Sequence, residues 1–194
     1  MRPMAYTFPY SILFWVTFIW AFWPEFLLIA RPRPQAKIID AGSSRVLAIG
    51  LALAFACAFS LAWKPALRWS PWVAHFAFFS GLTLLVSGSL LRRHCWRMLG
   101  SYFTGHVAVQ NNQPVITTGA YAWVRHPSYS GALLMNVGVG IALGSWASTA
   151  LLLVASVALY GYRITIEERA LLANIGEPYR AFMTSRKRLV PYVF

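Results

Sequence analysis

The chain of 194 residues is 58% hydrophobic and only 11% charged, with a formal net charge of +12 and a mean hydropathy of +0.55. Soluble domains carry about 25% charged residues, so this composition argues against a soluble protein and indicates a membrane protein. The basic residues lie in short stretches between apolar runs, and no common nucleic-acid-binding motif occurs, so we expect no nucleic-acid partner. The two separate cysteines, Cys57 and Cys95, are too few for a disulfide framework or a metal site.

The apolar segments predict a single all-α, polytopic membrane domain over residues 1–194. A spanning helix needs about 20 predominantly apolar residues, and we predict about five spans, at residues 9–30, 45–63, 72–91, 129–144 and 147–163. Pro24 and Glu25 interrupt the first span, which we interpret as a retained helix rather than a signal peptide because no small-residue cleavage site follows it. The last apolar block is too long for one helix, so it predicts a tight hairpin that turns at residues 144–148.

The distribution of basic residues predicts the orientation of these spans. With the N-terminus outside, 14 of the 17 basic residues lie on the cytoplasmic side and three lie outside, as cytoplasmic loops of membrane proteins generally require. The outside residues are Arg2, Lys64 and Arg68. The cytoplasmic ones are Arg31, Arg33, Lys37, Arg45, Arg92, Arg93, Arg97, Arg125, Arg163, Arg169, Arg180, Arg186, Lys187 and Arg188. This topology brings the polar segments 92–128 and 163–194 together on the cytoplasmic side.

The stretch YAWVRHPSYSG, residues 121–131, stands at the start of the fourth span. Pro127 suits the first turn of a helix, and the N–H groups that follow would then lack intrahelical partners and could bind an anion. These N–H groups belong to Ser128, Tyr129 and Ser130, and Arg125 and His126 would reinforce the binding. The alternative is an interfacial anchor, because basic and aromatic residues flank many spanning helices. This stretch alone does not choose between the two.

The second polar segment places Arg163 and Glu167 four residues apart, on one face of a predicted helix that continues from the fifth span. Gly176 and Pro178 predict the end of that helix. The simplest interpretation is a surface ion pair of little energetic value. The chain has only five acidic residues, however, and Glu167 and Glu168 lie side by side opposite the predicted anion site. An anion cradle that faces a carboxylate and a guanidinium would suit a zwitterionic ligand.

Three motifs carry a resemblance to a known family. They are VITTGAYAWVRHPSYSG at residues 115–131, EERALLANIGEPYRAF at 167–182 and RLVP at 188–191. Through them the C-terminal half of the chain resembles the isoprenylcysteine carboxyl methyltransferase family, integral membrane enzymes that are similar also to membrane phospholipid methyltransferases. The matched pattern is a hydrophobic pair, Thr, Gly and Tyr, then Arg-His-Pro-x-Tyr-x-Gly, and later Glu-Glu with a Gly and a Tyr.

The resemblance implies S-adenosylmethionine as the methyl donor, S-adenosylhomocysteine as its product and no metal. It implies a cytoplasmic cofactor site formed by the loop before the fourth span and the C-terminal segment, with Arg163 and Glu167 as catalytic residues. Arg163 matches the substrate-binding position. The implied cofactor-binding residues are Gln113, Pro114, Val115, Ile116, Tyr121, His126, Pro127, Ser128, Tyr129 and Glu167. The implied partners are a lipid-linked, prenylcysteine-type substrate and membrane lipids, with no obligatory protein partner.

Two other functions stay open at this point. A phospholipid or other small-lipid methyltransferase could use the same scaffold, although an amine acceptor would need a base and Arg163 cannot act as one. A non-catalytic transporter is the least supported alternative. Transporters place charges or broken helices near the middle of the membrane, and Glu25, close to Pro24, is the one such feature in this sequence.

Overall fold

A computed structural model describes residues 2–29, 37, 38, 40, 42–103, 106–109 and 113–191. Its described residues form six α-helices: α1 (Tyr10–Ile29), α2 (Ser43–Leu61), α3 (Pro71–Leu99), α4 (Pro127–Ala142), α5 (Trp146–Ile175) and α6 (Glu177–Ser185). Two strands of two residues, β1 (Lys37–Ile38) and β2 (Ala108–Val109), pair antiparallel. The predicted all-α class is therefore confirmed apart from this short pair. Arg31, Arg33, the end of the first predicted span at residue 30 and the end of the last segment at 192–194 lie outside the described residues.

Three helices in the described part of the chain are long and apolar enough to cross a membrane, namely those at Ser43–Leu61, Pro71–Tyr102 and Trp146–Ile175. They overlap the predicted second, third and fifth spans. Helix α1 has 20 residues with Pro24 inside, and α4 has 16, which is shorter than the roughly 20 residues of a typical span. The total of five spans stays a prediction.

Large apolar side chains cover the outside of the helices. Trp72 is 95% exposed, Phe76 78% and Val154 67%. A soluble monomer rarely exposes apolar surface on this scale, whereas a membrane protein turns such side chains to the lipid. The long apolar helices and this lipid-facing surface together identify an integral membrane protein.

Helices α3 and α4 pack with their backbones in close contact. A Cβ atom added at Gly138 would lie 2.6 Å from the carbonyl oxygen of Gly81, and one added at Gly131 would lie 2.8 Å from that of Gly88. The partners recur seven residues apart on each helix, so two antiparallel helices meet at glycines over two turns. Small residues at such positions let spanning helices approach closely.

The predicted hairpin and the predicted helix extension are both present. Gly144 adopts a φ of +75°, and the Ser145 hydroxyl accepts the Ser148 N–H at 3.2 Å as the N-cap of α5. Helix α5 then continues for 30 residues, beyond the apolar span, until Gly176 ends it with a φ of +73°. Because α5 is so long, its last four turns carry Arg163, Glu167 and Glu168, at and beyond the end of the predicted span at 147–163.

Candidate active site

The helix start predicted at Pro127 is confirmed. The prediction that the N–H groups of its first turn lack intrahelical partners is only partly confirmed. The backbone of His126, the N-cap of α4, accepts the N–H of Tyr129 at 3.0 Å and that of Ser130 at 3.2 Å. The N-cap carbonyl normally takes the first intrahelical bonds. The expectation that these N–H groups lack partners is therefore wrong for Tyr129 and Ser130.

The RLVP ending lies against this helix start. The N–H of Arg125 donates to the carbonyl of Lys187 at 2.8 Å, and the N–H of His126 donates to that of Arg188 at 3.0 Å. The Ser130 hydroxyl donates to the carbonyl of Leu189 at 2.5 Å. The first and third motifs of the sequence are thus two sides of one hydrogen-bonded substructure.

Glu168 is the buried centre of this substructure. Its Oε1 lies 2.9 Å from a guanidinium nitrogen of Arg125 and 3.2 Å from Nε2 of His126, and its Oε2 accepts from Arg188 at 2.9 Å. The side chain of His126 is only 4% exposed, so it faces the protein rather than the bilayer. This geometry contradicts the interfacial-anchor alternative for His126.

Tyr129 joins the two residues that the sequence analysis singled out as catalytic. Its hydroxyl accepts from Nε of Arg163 at 2.9 Å and donates to Oε2 of Glu167 at 2.7 Å. Arg163 is 4% exposed, so the interpretation of Arg163 and Glu167 as a surface pair is wrong. The two side chains instead belong to a partly buried, charge-assisted chain of hydrogen bonds, and such bonds are shorter and stronger than those between neutral groups.

Asp40 is a partner of Arg163 that the sequence analysis missed. Nη1 of Arg163 lies 3.5 Å from Oδ1 of Asp40, and it donates to the hydroxyls of Ser43 at 3.3 Å and Ser44 at 3.2 Å. Burial raises the pKa of Asp40, but hydrogen bonds from Ser43, Ser44 and His106 and the charge of Arg163 outweigh it and lower this pKa to about 2. Asp40 is therefore ionised at any ordinary pH. The sequence feature that could have drawn attention to Asp40 is that the chain has only five acidic residues.

A second acidic residue, Glu25, also has a structural partner. It pairs with the guanidinium of Arg92 through both carboxylate oxygens, and Arg92 also donates to the carbonyl of Ser128 at 2.9 Å. The pair links α1, α3 and the start of α4. A charge inside a membrane normally has such a partner, and this pairing removes the feature on which the transporter alternative was based.

A cavity of about 610 Å³ is lined by Tyr129, Arg163 and Glu167, and also by Glu25 and Arg92. Ligand sites typically occupy about 300–1,000 Å³. The predicted site residues that line it are Gln113, Pro114, Val115, Ile116, Tyr121, His126, Ser128, Tyr129, Arg163 and Glu167. Pro127 is the exception among the predicted residues, because it is fully buried at the helix start.

The cavity has a polar end and an apolar end. Tyr179 and Phe182 of α6 add aromatic surface at the polar end, beside Tyr121. Burial raises the pKa of Tyr121 and of Tyr179, so both hydroxyls stay neutral. The apolar end lies among side chains of α1, α2 and α4, including Phe22, Leu51, Phe55 and Met135. Among the described residues, no group of three or more His, Cys, Asp or Glu side chains is placed to hold a metal ion.

Comparison with known proteins relates the site to one family. The sequence profile of the isoprenylcysteine carboxyl methyltransferase (ICMT) family matches residues 81–173. A protein-S-isoprenylcysteine O-methyltransferase of Schizosaccharomyces pombe is 32% identical over 116 residues, which are 59% of this chain and 49% of that protein. Protein-S-isoprenylcysteine O-methyltransferase B of Arabidopsis thaliana is 30% identical over 131 residues, 66% of this chain and 64% of the relative. The chain thus spans from about half to just under two thirds of the length of these relatives.

A solved structure shares the fold. The eukaryotic intramembrane Ras methyltransferase ICMT superposes with a TM-score of 0.63 at 27% identity, over 77% of this chain and 53% of the other. The family match includes the Arg-His-Pro helix start, Arg163 and both adjacent glutamates. Residues 81–173 therefore match the ICMT family, which confirms the resemblance predicted from the sequence motifs.

Proposed function

We propose that the protein is an S-adenosylmethionine-dependent methyltransferase that acts on a lipid-linked carboxylate. The acceptor would be the C-terminal carboxylate of a prenylated cysteine or a similar group, and the product a methyl ester. One observation carries this proposal: a single cavity joins the charged chain of Arg163, Tyr129 and Glu167 to an apolar chamber between helices. The names of the matched relatives support the same chemistry.

The residues at the polar end fit S-adenosylmethionine, which carries a carboxylate, an ammonium, a ribose, an adenine and a sulfonium. Glu167 offers an acceptor to the ammonium or to the ribose hydroxyls. Arg125 and the first turn of α4 offer positive charge to the carboxylate. The rings of Tyr121 and Tyr179 supply faces on which the adenine could pack and to which the sulfonium would be attracted.

The donor would supply an electrophilic methyl group on its sulfonium, and the protein's own residues would position the acceptor. Arg163 would hold the acceptor carboxylate at its guanidinium edge, while the Tyr129 hydroxyl and Asp40 fix that guanidinium in place. The acceptor needs no general base, because a carboxylate with a pKa of about 3.3–3.7 is ionised at neutral pH. Orientation and the exclusion of water from the apolar chamber would therefore provide most of the rate enhancement.

The test is methyl transfer by the purified protein in nanodiscs. Methyl-labelled S-adenosylmethionine is supplied with either a farnesylated cysteine analogue or phosphatidylethanolamine. We expect base-labile label, the sign of an ester, on the cysteine analogue. Base-stable label on phosphatidylethanolamine would instead support the amine-directed alternative, and label on neither acceptor while the donor binds would contradict both.

We further propose that the five predicted spans place the N-terminus outside and the active site on the cytoplasmic side. Replacement of Cys57 and Cys95 provides a cysteine-free parent, into which single cysteines are introduced at Arg68 and at Arg186. Both positions lie outside the apolar spans, so a membrane-impermeant thiol reagent should reach them from opposite faces. Labelling of both from the same face would contradict the topology.

A further inference from the structure

A second polar group lies inside the apolar chamber, one layer deeper than Arg163. Asn136 of α4 and Tyr160 of α5 line the cavity and are only 1% and 6% exposed. Nδ2 of Asn136 donates to the Ser156 hydroxyl at 2.9 Å and to the Tyr160 hydroxyl at 3.2 Å. The ring of Tyr160 packs on that of Tyr129, with 5.4 Å between ring centroids. The pair is therefore continuous with the reaction site.

The hydrogen bonds of this pair are incomplete within the described part of the chain. An amide has two N–H donors and one carbonyl acceptor, and a phenol has one O–H donor. With the amide oriented so that both N–H groups of Asn136 donate to these hydroxyls, Oδ1 of Asn136 receives no donor and the O–H of Tyr160 finds no acceptor among the described residues. Buried polar groups are nearly always paired. An acceptor and a donor left over side by side in a cavity point to a ligand that supplies the complement of both.

We propose that the acceptor lipid carries a hydroxyl or amide group that hydrogen-bonds with Asn136 and Tyr160. This inference rests on the proposed function, which makes the apolar chamber the acceptor's site. Asn136 follows Tyr129 by seven residues on α4, so the polar group lies about 10 Å from the methylated end along the helix axis. A plain hydrocarbon chain at that depth would leave both protein groups unpaired. The pair thus selects acceptors by a polar group within the chain.

The test compares two acceptor analogues that differ in one group. One is an S-farnesyl cysteine analogue, and the other is the same molecule with a hydroxyl on the chain about 10 Å from the carboxylate. Affinity is measured by calorimetry on the cofactor-loaded protein in nanodiscs. We expect the hydroxylated analogue to bind at least tenfold more tightly, since a site built to hydrogen-bond a hydroxyl discriminates against a ligand without one.

Two variants assign this preference to the pair. Tyr160→Phe removes a single hydroxyl, and Asn136→Leu replaces the amide with an apolar group of similar size. Both should bind the two analogues with nearly equal affinity, mainly because the plain analogue binds better. Tyr162→Phe is the matched control, because Tyr162 is a 47% exposed tyrosine on the same helix, and it should keep the parent's preference.

The outcomes separate this inference from the proposed function. Equal affinity of the parent for both analogues would overturn the inference, because water would then satisfy the pair. A preference that persists in Tyr160→Phe and Asn136→Leu would also overturn it. Methyl transfer is measured in parallel. A preference in binding without transfer to either analogue contradicts the proposed function alone, whereas transfer to both with equal affinity contradicts the inference alone.

Discussion

Tyr129→Phe is the most informative single change, because one hydroxyl connects the groups proposed for donor and acceptor. The change removes the 2.9 Å bond from Arg163 and the 2.7 Å bond to Glu167, and keeps the ring. A hydrogen bond to a charged group contributes about 1.5–3 kcal/mol. Arg163 and Glu167 stand one helical turn apart, so their side chains can move together and recover part of the loss. We therefore expect a net cost near that of one bond.

This cost corresponds to a decrease in kcat/KM of about 10- to 150-fold, since about 1.4 kcal/mol is a factor of ten. The measurement is methyl transfer to the farnesylated cysteine analogue, with donor affinity determined separately by calorimetry. We expect both to fall, because the hydroxyl orients both charged groups. Tyr162→Phe on the exposed face of α5 makes the same chemical change and should leave both values unaltered. A Tyr129→Phe protein with the parent's kcat/KM and donor affinity would refute the role of this chain.

Three further predictions test the carboxylate, the guanidinium and the helix contact. Glu167→Gln should weaken donor binding by about 1.5–3 kcal/mol in calorimetry, whereas Glu177→Gln, at an 81% exposed side chain, should not. Arg163→Lys should reduce methyl transfer at least about tenfold with donor affinity near the parent's, because an ammonium cannot reproduce the planar group that bonds Tyr129 and Asp40 and also faces the acceptor. A matching loss of donor affinity that is not additive with Glu167→Gln would contradict this. Gly88→Ala should lower the free energy of unfolding by about 1–3 kcal/mol, because its Cβ meets the facing backbone. Gly161→Ala, with open space around it, should be neutral or stabilising in the same denaturation assay.

The sequence predicted those features that local signals determine. Pro127 marks the start of α4, the glycine and serine at 144–145 mark the hairpin, and Gly176 marks the end of α5. Each of these residues favours its backbone conformation whatever the rest of the chain does. The resemblance then supplied residues that prove to line one cavity, with Pro127 as the exception.

The features that the sequence did not predict depend on contacts between residues that are far apart in the chain. Asp40 contacts Arg163 across 123 positions, and no periodicity indicates such a contact. His126 pairs with Glu168, although the sequence indicated only a role in ligand binding. The sequence alone does not show which of the two adjacent glutamates faces His126, because that depends on the rotation of the helix about its axis. Helix α3 continues to Leu99, beyond the predicted span at 72–91, because hydropathy marks the edge of the bilayer while arginines there still favour a helix.

The contrast between two helix contacts decides which wall of the cavity can open. Separating α3 from α4 would pull apart backbones that are in contact at paired glycines. This wall of the cavity is therefore expected to stay closed. Helices α1 and α2 meet instead through aromatic side chains, and the rings of Phe22 and Phe55, which both line the cavity, lie edge to face at 5.8 Å. A ring pair of this kind contributes only about 0.5–1.5 kcal/mol. A lipid that enters sideways between α1 and α2 would thus displace aromatic rings, Phe22 and Phe55 among them, rather than separate two backbones in contact.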